Sequence, residues 1–345
     1  MIALYLGLLI FSFLFTSILV VPFINLLYKL KFFRRVQKTT DIEGNRTKIF
    51  DKLNNLKAGT PVGGGLLIIA TTVLLYLILY PILCYAGIRV TTAFSQIKEE
   101  LNILFFTFIS FGLLGLYDDI LKFFGFKRTG FFGLRLRHKF AIQWLLAFFI
   151  ASMMFFNLKI SFIYVPFFGV FDIGVFFIPL AAFIIVSFVN AFNITDGLDG
   201  LACGLLMIAL FAFWILSHTT LDTPLSIFLA IWIGSLIAFL YFNVYPARIF
   251  LGDVGALSFG ATFAVVGLLI GRTFALVVIG GLFIVEVSSS LIQILSKKLL
   301  KKKAFAVAPF HLWLRNIGWE EPKIVMRGWL AGIILALFGL WIAYI

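Results

Sequence analysis

Charge is scarce in this chain. Only 12% of its 345 residues are Asp, Glu, Lys or Arg, and 15 acidic residues face 28 basic ones. A water-soluble domain carries about 25% charged residues. A fold wetted over its whole surface is therefore excluded: 62% of the residues are hydrophobic and the mean hydropathy is +1.11. Two cysteines, Cys84 and Cys203, and three histidines offer no zinc-ligand spacing and no disulfide framework. The two cysteines fall near opposite membrane faces and are not expected to pair. A glycine-rich nucleotide loop is also missing, because Gly63-Gly64-Gly65 opens an apolar helix and follows no strand. No nucleic-acid partner is expected.

Long apolar runs are what the chain has in quantity. They cover residues 2–28, 63–83, 100–117, 139–157, 168–189, 197–217, 224–242, 255–272, 274–296 and 324–344. Each is long enough to cross a hydrocarbon core of ~30 Å. The stretch 255–296 is split near Gly271-Arg272, since 42 residues exceed one crossing. The first run is too long for a signal peptide and lacks a small-residue cleavage site, so it is expected to stay. The expectation is an all-α polytopic membrane helical bundle of about ten transmembrane helices, one integral membrane domain over residues 1–345.

Ten crossings put both termini on one side. Segments 29–62, 118–139, 190–196, 243–254 and 297–323 then share the other, and with the flank to 327 they hold 24 of the 28 basic residues. The positive-inside rule makes that side cytoplasmic and both termini outside. Orientation and contact with anionic membrane lipid account for most of these cations. They do not account for the acids, amides and histidine beside them.

Polar groups at a membrane boundary are costly and need a reason. The third span ends in Asp118-Asp119-Ile120-Leu121-Lys122. Neighbours on a helix point about 100° apart, so the two aspartates have different jobs, while Asp118 and Lys122 share a face. A helix-end ion pair is the plainer reading. Arg135, Arg137, Lys139 and Gln143 follow, suited to a phosphate or to topology alone. Asn190, Asn193, Asp196 and Asp199 recur every third residue where an apolar run ends, with Gly197 and Gly200 between them. Helix capping explains one such aspartate but not four polar groups in register. Asp253 sits between Gly252 and Gly255 before another apolar run, as an N-cap or as a ligand for a hard cation beside a phosphate. Phe250, just before it, is a candidate to stack on a base. The last loop carries Pro309-Phe310-His311 and Gly318-Trp319-Glu320-Glu321-Pro322. Together these groups suit Mg²⁺-dependent chemistry on a phosphate or diphosphate: carboxylates for the metal, cations for phosphate oxygens.

In this order the clusters resemble the polyprenyl-phosphate N-acetylhexosamine-1-phosphate transferase superfamily, and within it the phospho-N-acetylmuramoyl-pentapeptide transferase family. The resemblance runs from Lys57 to about Trp329. It is carried by Lys57-Ala-Gly-Thr-Pro-Val-Gly-Gly, by Asp118-Asp119 with Lys122, Gly133-Leu134, Arg137, Lys139 and Gln143, and by the strings Asn193-Ile-Thr-Asp-Gly-Leu-Asp-Gly-Leu and Phe250-Leu-Gly-Asp-Val-Gly. Glu286 through Gln293, Ala308-Pro-Phe-His311 and Gly318 through Trp329 complete it, the last favouring the muramoyl branch.

The resemblance implies a bacterial, multi-pass cytoplasmic-membrane enzyme of peptidoglycan synthesis. Its substrates would be UDP-MurNAc-pentapeptide and undecaprenyl phosphate, its products lipid I and UMP, and its cofactor Mg²⁺. By resemblance Asp253 is the metal ligand and Asp118 deprotonates or positions the lipid phosphate. Asp119 and Lys122 order the phosphates. Asn190, Asn193, Asp196 and Phe250 hold the uridine side, with Lys57 and Gln293 nearby; Asp199 and Lys139 complete the substrate set, and His311 joins the catalytic one. Homodimers are common in the family, and no motif here requires one. The sequence departs from the family pattern in three places. His311-Leu312-Trp313 stands where three consecutive histidines are usual, Ala256 where serine is common, and Val62-Gly63 where Thr-Met is usual. Two rivals share the composition: a sister transferase using UDP-GlcNAc or another UDP-N-acetylhexosamine, and a lipid or solute transporter, which would place its ionisable groups nearer the membrane midplane.

Overall fold

The computed structural model describes residues 1–33, 57–124, 134 and 136–345. Among them, nine helices are long and apolar enough to cross a membrane. They are α1 (Ile2–Lys29), α2 (Gly64–Tyr85), α3 (Ile97–Phe124), α4 (Leu136–Asn157), α5 (Phe177–Thr195), α6 (Leu201–Thr219), α7 (Thr223–Asn243), α8 (Gly252–Leu269) and α12 (Glu321–Tyr344). Two shorter helices, α9 (Thr273–Ile279) and α10 (Gly281–Leu295), form a bent pair that brings the number to ten if it counts as one span. The chain is an all-α polytopic membrane protein. Its one sheet among the described residues is a hairpin of β1 (Phe162–Val165) and β2 (Gly169–Asp172), antiparallel with Phe162 opposite Asp172. A short helix α11 (Phe310–Asn316) precedes α12.

Four boundaries differ from the hydropathy reading. The run 274–296 is not one straight crossing: it breaks at Gly280 with a bend of 73°. Two adjacent glycines are poor helix formers, and a Cβ on Gly280 would lie 2.4 Å from the Phe188 ring, so the break lets α5 pack close. The run that begins at 168 starts in β2, and the helix opens only at Phe177. The expected link 190–196 is helical through Thr195, so Asn190 and Asn193 stand on α5, and the turn is Asp196–Gly200 instead. The run 197–217 correspondingly becomes α6 from Leu201. Arg135, Gly133 and most of the segment 29–62 lie outside the described residues.

Helix α8 is the axis of the bundle, with 89% of its apolar window buried, and α7 follows with 83%. α8 packs along α3 and α5, and α1 packs along α7. Lipid gives helices no hydrophobic reason to associate, so close approach and interhelical hydrogen bonds must hold them. Both devices are present. Ser12 of α1 donates to the Ile231 carbonyl at 2.6 Å and lies 2.8 Å from Ser235 of α7; Thr16 and Thr71 reach the same Ser235 hydroxyl at 3.1 and 3.3 Å. At the α3–α8 crossing, a Cβ on Gly115 would lie 2.1 Å from the Asp253 carbonyl oxygen. That backbone contact sets how near Asp118 and Asp119, one turn on, come to Asp253. At the opposite end of the bundle, Asp222 caps α7 by accepting from Leu225 N at 3.2 Å. Arg272 stacks over Tyr164 at 4.0 Å and ties the hairpin to the α8–α9 turn. Cys84 is exposed and Cys203 buried, and both are free.

Gly115→Leu is expected to destabilise the detergent-solubilised protein by about 1–3 kcal/mol, lowering its thermal midpoint by several degrees. Gly7→Ala, where an added Cβ meets nothing within 4 Å, should leave the midpoint unchanged.

Candidate active site

Two polar clusters lie side by side where α3, α5 and α10 end and α4, α6, α8 and α12 begin. The first joins three helices. Lys122 of α3 lies 3.0 Å from Asp118, 3.7 Å from Asp119 and 2.8 Å from Asp253 of α8. Lys139 of α4 lies 2.9 Å from Asp118 and also contacts Asp253. Three carboxylates thus share two ammoniums. The two aspartates of α3 do differ in role. Asp118 accepts from Leu134 N at 2.7 Å through one oxygen and from both lysines through the other. Asp119 accepts from Val254 N at 3.1 Å, satisfying a donor that the first turn of α8 leaves open.

Asp253 is therefore not an N-cap: it lies in the first turn of α8, which has no side-chain cap of its own, and the neighbouring helix supplies the acceptor. A negative group there is favoured by the positive end of the helix. Gly252 enters that turn at φ +79°, and a Cβ on it would lie 2.7 Å from the Asp119 carboxylate. Pairing between loops fixes the approach: Phe250 N donates to the Pro61 carbonyl at 2.8 Å, and Gly63 N and Gly64 N donate to the Phe250 carbonyl at 3.1 and 2.9 Å.

The second cluster surrounds the Asp196–Gly200 turn. Lys57 lies 2.7 Å from Asp199 and 2.6 Å from Glu321, and donates to the Gly197 carbonyl at 3.2 Å. Asp199 also accepts from Ala247 N at 2.9 Å. Neither Asp196 nor Asp199 caps α6, whose N-cap is Gly200; Asp196 ends α5. Desolvation, and then the nearby Asp253 charge, push the Asp196 carboxyl well above the usual carboxylate range, against the pull of Lys57. His311 is buried; its Nδ1 lies 2.9 Å from Glu286, whose carboxylate also accepts from His311 N at 3.2 Å. A carboxylate only accepts, so Nδ1 donates. That leaves Nε2 toward the turn, 2.4 Å from where a Gly197 Cβ would stand.

Between the clusters lies a cavity of about 380 Å³. Eight of the residues singled out from sequence line it: Lys57, Asp119, Asn193, Asp196, Asp199, Phe250, Asp253 and His311. Five do not. Asp118, Lys122 and Lys139 stand behind Asp119 and Asp253 in the ion cluster. Asn190 donates to Gln143 at 2.9 Å and to the Val186 carbonyl at 2.8 Å, bracing α5 against α4. Gln293 spends its whole amide on Phe305, donating to its carbonyl and accepting from its N–H, each at 2.9 Å; it fastens the loop before α11. Arg137 is exposed. Glu286 and Glu321 are the functional candidates to which residue chemistry alone gave no role. Each is a carboxylate beside or within an apolar helix, which was the available signal.

The hard-oxygen donors for a cation here are Asp253 and Asp119. Among the described residues no three His, Cys, Asp or Glu side chains form a ready-made cage. Both ammoniums contact the same Asp253 oxygen.

The sequence model of glycosyl transferase family 4 matches residues 101–271. A phospho-N-acetylmuramoyl-pentapeptide-transferase of Thermodesulfovibrio yellowstonii is 34% identical over 350 residues, covering 95% of this chain and 90% of that protein. The protein of that name from Caldanaerobacter subterraneus is 38% identical, covering 92% and 91%. The one from Bacillus subtilis is 34% identical, covering 84% and 86%.

The ion cluster carries its own stability test. Lys139→Met leaves Asp118 and Asp253 short of a counter-charge. It should cost about 3 kcal/mol, read as a lower thermal midpoint in detergent. The double variant Lys139→Met/Asp118→Asn, which restores the native balance of one excess negative charge, should recover part of that loss.

Proposed function

The chain belongs to the phospho-N-acetylmuramoyl-pentapeptide-transferase family and is an enzyme of that kind, and we propose from this premise that it transfers phospho-MurNAc-pentapeptide from UDP-MurNAc-pentapeptide to undecaprenyl phosphate, giving lipid I and UMP. The observation that carries this reading is Asp253, held at the N-terminus of the central helix by Lys122 and Lys139 and opening on the cavity beside Asp119. A site made for a neutral ligand has no use for such a concentration of paired charge. A transporter would need it nearer the middle of the span.

An oxygen of the lipid phosphate attacks the β-phosphorus of the UDP-sugar. A new P–O bond forms there, the bond from the β-phosphorus to the bridging oxygen breaks, and UMP leaves with that electron pair. Mg²⁺, held by Asp253 when bound, supplies charge neutralisation on the diphosphate. Lys122 and Lys139 hold the Asp253 carboxylate in place and lower the cost of bringing phosphate oxygens to it. Asp118, with both oxygens committed, positions those lysines rather than removing a proton. Asp119 faces the cavity and orients the incoming phosphate. Phe250, Asn193 and Asp196 take the uridine end, with Lys57 and Asp199 beside them on the cavity wall. Burial pushes the Asp196 carboxyl well above the usual carboxylate range, which favours its taking part there as a neutral group. His311 is aimed by Glu286 at the same turn. Catalysis is then mostly positioning and electrostatics.

The whole chain acts as one membrane transferase domain. The basic end of the bundle faces the bacterial cytoplasm, where the nucleotide substrate is, and both termini face outward.

The test is UMP release by purified protein given undecaprenyl phosphate and a panel of UDP-sugars. UDP-MurNAc-pentapeptide should release UMP, chelation of Mg²⁺ should abolish it, and Asp253→Asn should lower the rate by about a hundredfold or more. UMP from UDP-GlcNAc but none from the muramoyl substrate would overturn the proposed substrate in favour of the sister reaction.

A further inference from the structure

Glu321 has no role so far, yet its carboxylate holds three partners around the turn. It stands in the first turn of α12 and is 5% exposed. One carboxylate oxygen accepts from Lys57 at 2.6 Å and from Asp199 N at 2.8 Å. The other lies 3.2 Å from Arg315 of α11. A single buried carboxylate therefore joins four segments: the loop before α2, the Asp196–Gly200 turn, α11 and α12. Two turns further along α12, Trp329 donates to the Gly200 carbonyl at 3.2 Å, and its indole fills the place that a Gly204 side chain would take. The start of α12 thus grips the last two residues of the turn, through Asp199 N and Gly200 O.

The charges balance. Glu321 and Asp199 face Lys57 and Arg315, so none of the four is buried without a counter-charge. Lys57 and Asp199 are the members that reach the cavity, the Lys57 ammonium 6.0 Å from the centre of the Phe250 ring. Glu321 does not line the cavity. A flexible lysine loses side-chain entropy when it is fixed at a ligand, and a carboxylate that already holds it meets that cost before the ligand arrives.

We propose that Glu321 is a positioning residue for the nucleotide half of the cavity, setting both the Lys57 ammonium and the Asp196–Gly200 turn and acting on substrate only through them. This rests on reading the cavity as a UDP-sugar site. It also gives a physical reason for the Gly318 to Trp329 stretch: α12 is the strap that fixes the turn.

The experiment is a double-mutant cycle on the full-length protein in detergent with Glu321→Gln, Lys57→Met and the double variant. Affinity for UMP by calorimetry, and KM and kcat for UDP-MurNAc-pentapeptide, are the readouts. Glu321→Gln should weaken UMP binding and raise KM about tenfold while kcat stays within about threefold. Glu321→Asp should restore part of the loss. The double variant should lose less than the product of the two single losses, because part of what Glu321 does passes through Lys57. Losses that multiply in the double variant, or a fall in kcat at unchanged UMP affinity, would overturn the proposal. If Glu321→Gln does not fold, Glu321→Asp with Lys57→Met forms the same cycle. Wild-type protein that binds UMP yet releases none from any UDP-sugar would sink the transferase reading, while the coupling in UMP affinity would still decide the role of Glu321.

Discussion

Two lysine ammoniums shared among three carboxylates, at the point where three membrane helices meet, are what the rest of the site depends on. A charge at this depth is expensive unless it is paired. Lys122 and Lys139 can pair with Asp118 and Asp253 only if α3, α4 and α8 come close. The close approach at Gly115 allows this between α3 and α8. The bond from Val254 N to Asp119 then fixes the register of the two helices. The fold does not merely carry these charged groups, because the helices must sit where they do for the groups to be paired at all.

The second cluster solves a different problem. The Asp196–Gly200 turn joins two membrane helices and would be loose if left alone. It is held from outside by Lys57, by Ala247 N through Asp199, and by Glu321 and Trp329 of α12. His311, aimed by Glu286, faces the same turn. On the proposed reading, the ion cluster serves the reacting phosphates and the braced turn serves the nucleoside. The replacement of two family histidines also has a local account. Leu312 is buried at 3% exposure, and Trp313 stacks on Phe310 at 5.7 Å. These residues pack α11 in place and leave His311 as the imidazole of that stretch.

Much of this was legible in the sequence. Apolar runs of membrane length gave the helical class, and the acids and amides at their ends marked Asp119, Asn193, Asp196, Asp199 and Asp253, five of the eight predicted residues that line the cavity. Less was visible where tertiary contacts override local pattern. Asn190 and Asn193 read as a loop because amides are poor helix formers, but α5 continues through them under the packing of α4 and α8. The break at Gly280 depends on Phe188 arriving from another helix. Gln293 looked like a ligand-facing amide, yet its partners are the backbone of Phe305 twelve residues on. Glu286 and Glu321 lacked a role because nothing in one dimension shows which segments a carboxylate will join. Asp253 was ambiguous between cap and ligand until its neighbour Asp119 proved to be the acceptor for the first turn of α8.

The central claim is that Asp253 and its lysine partners face the diphosphate of a nucleotide sugar. The most direct measurement is a crystal structure of the protein with UDP and Mn²⁺, using the anomalous signal of the metal. The account predicts a manganese peak against the Asp253 carboxylate, with the uracil ring beside Phe250 and Asn193. A metal or nucleotide bound away from this cavity, for instance in the apolar groove between α2 and α3, would contradict it.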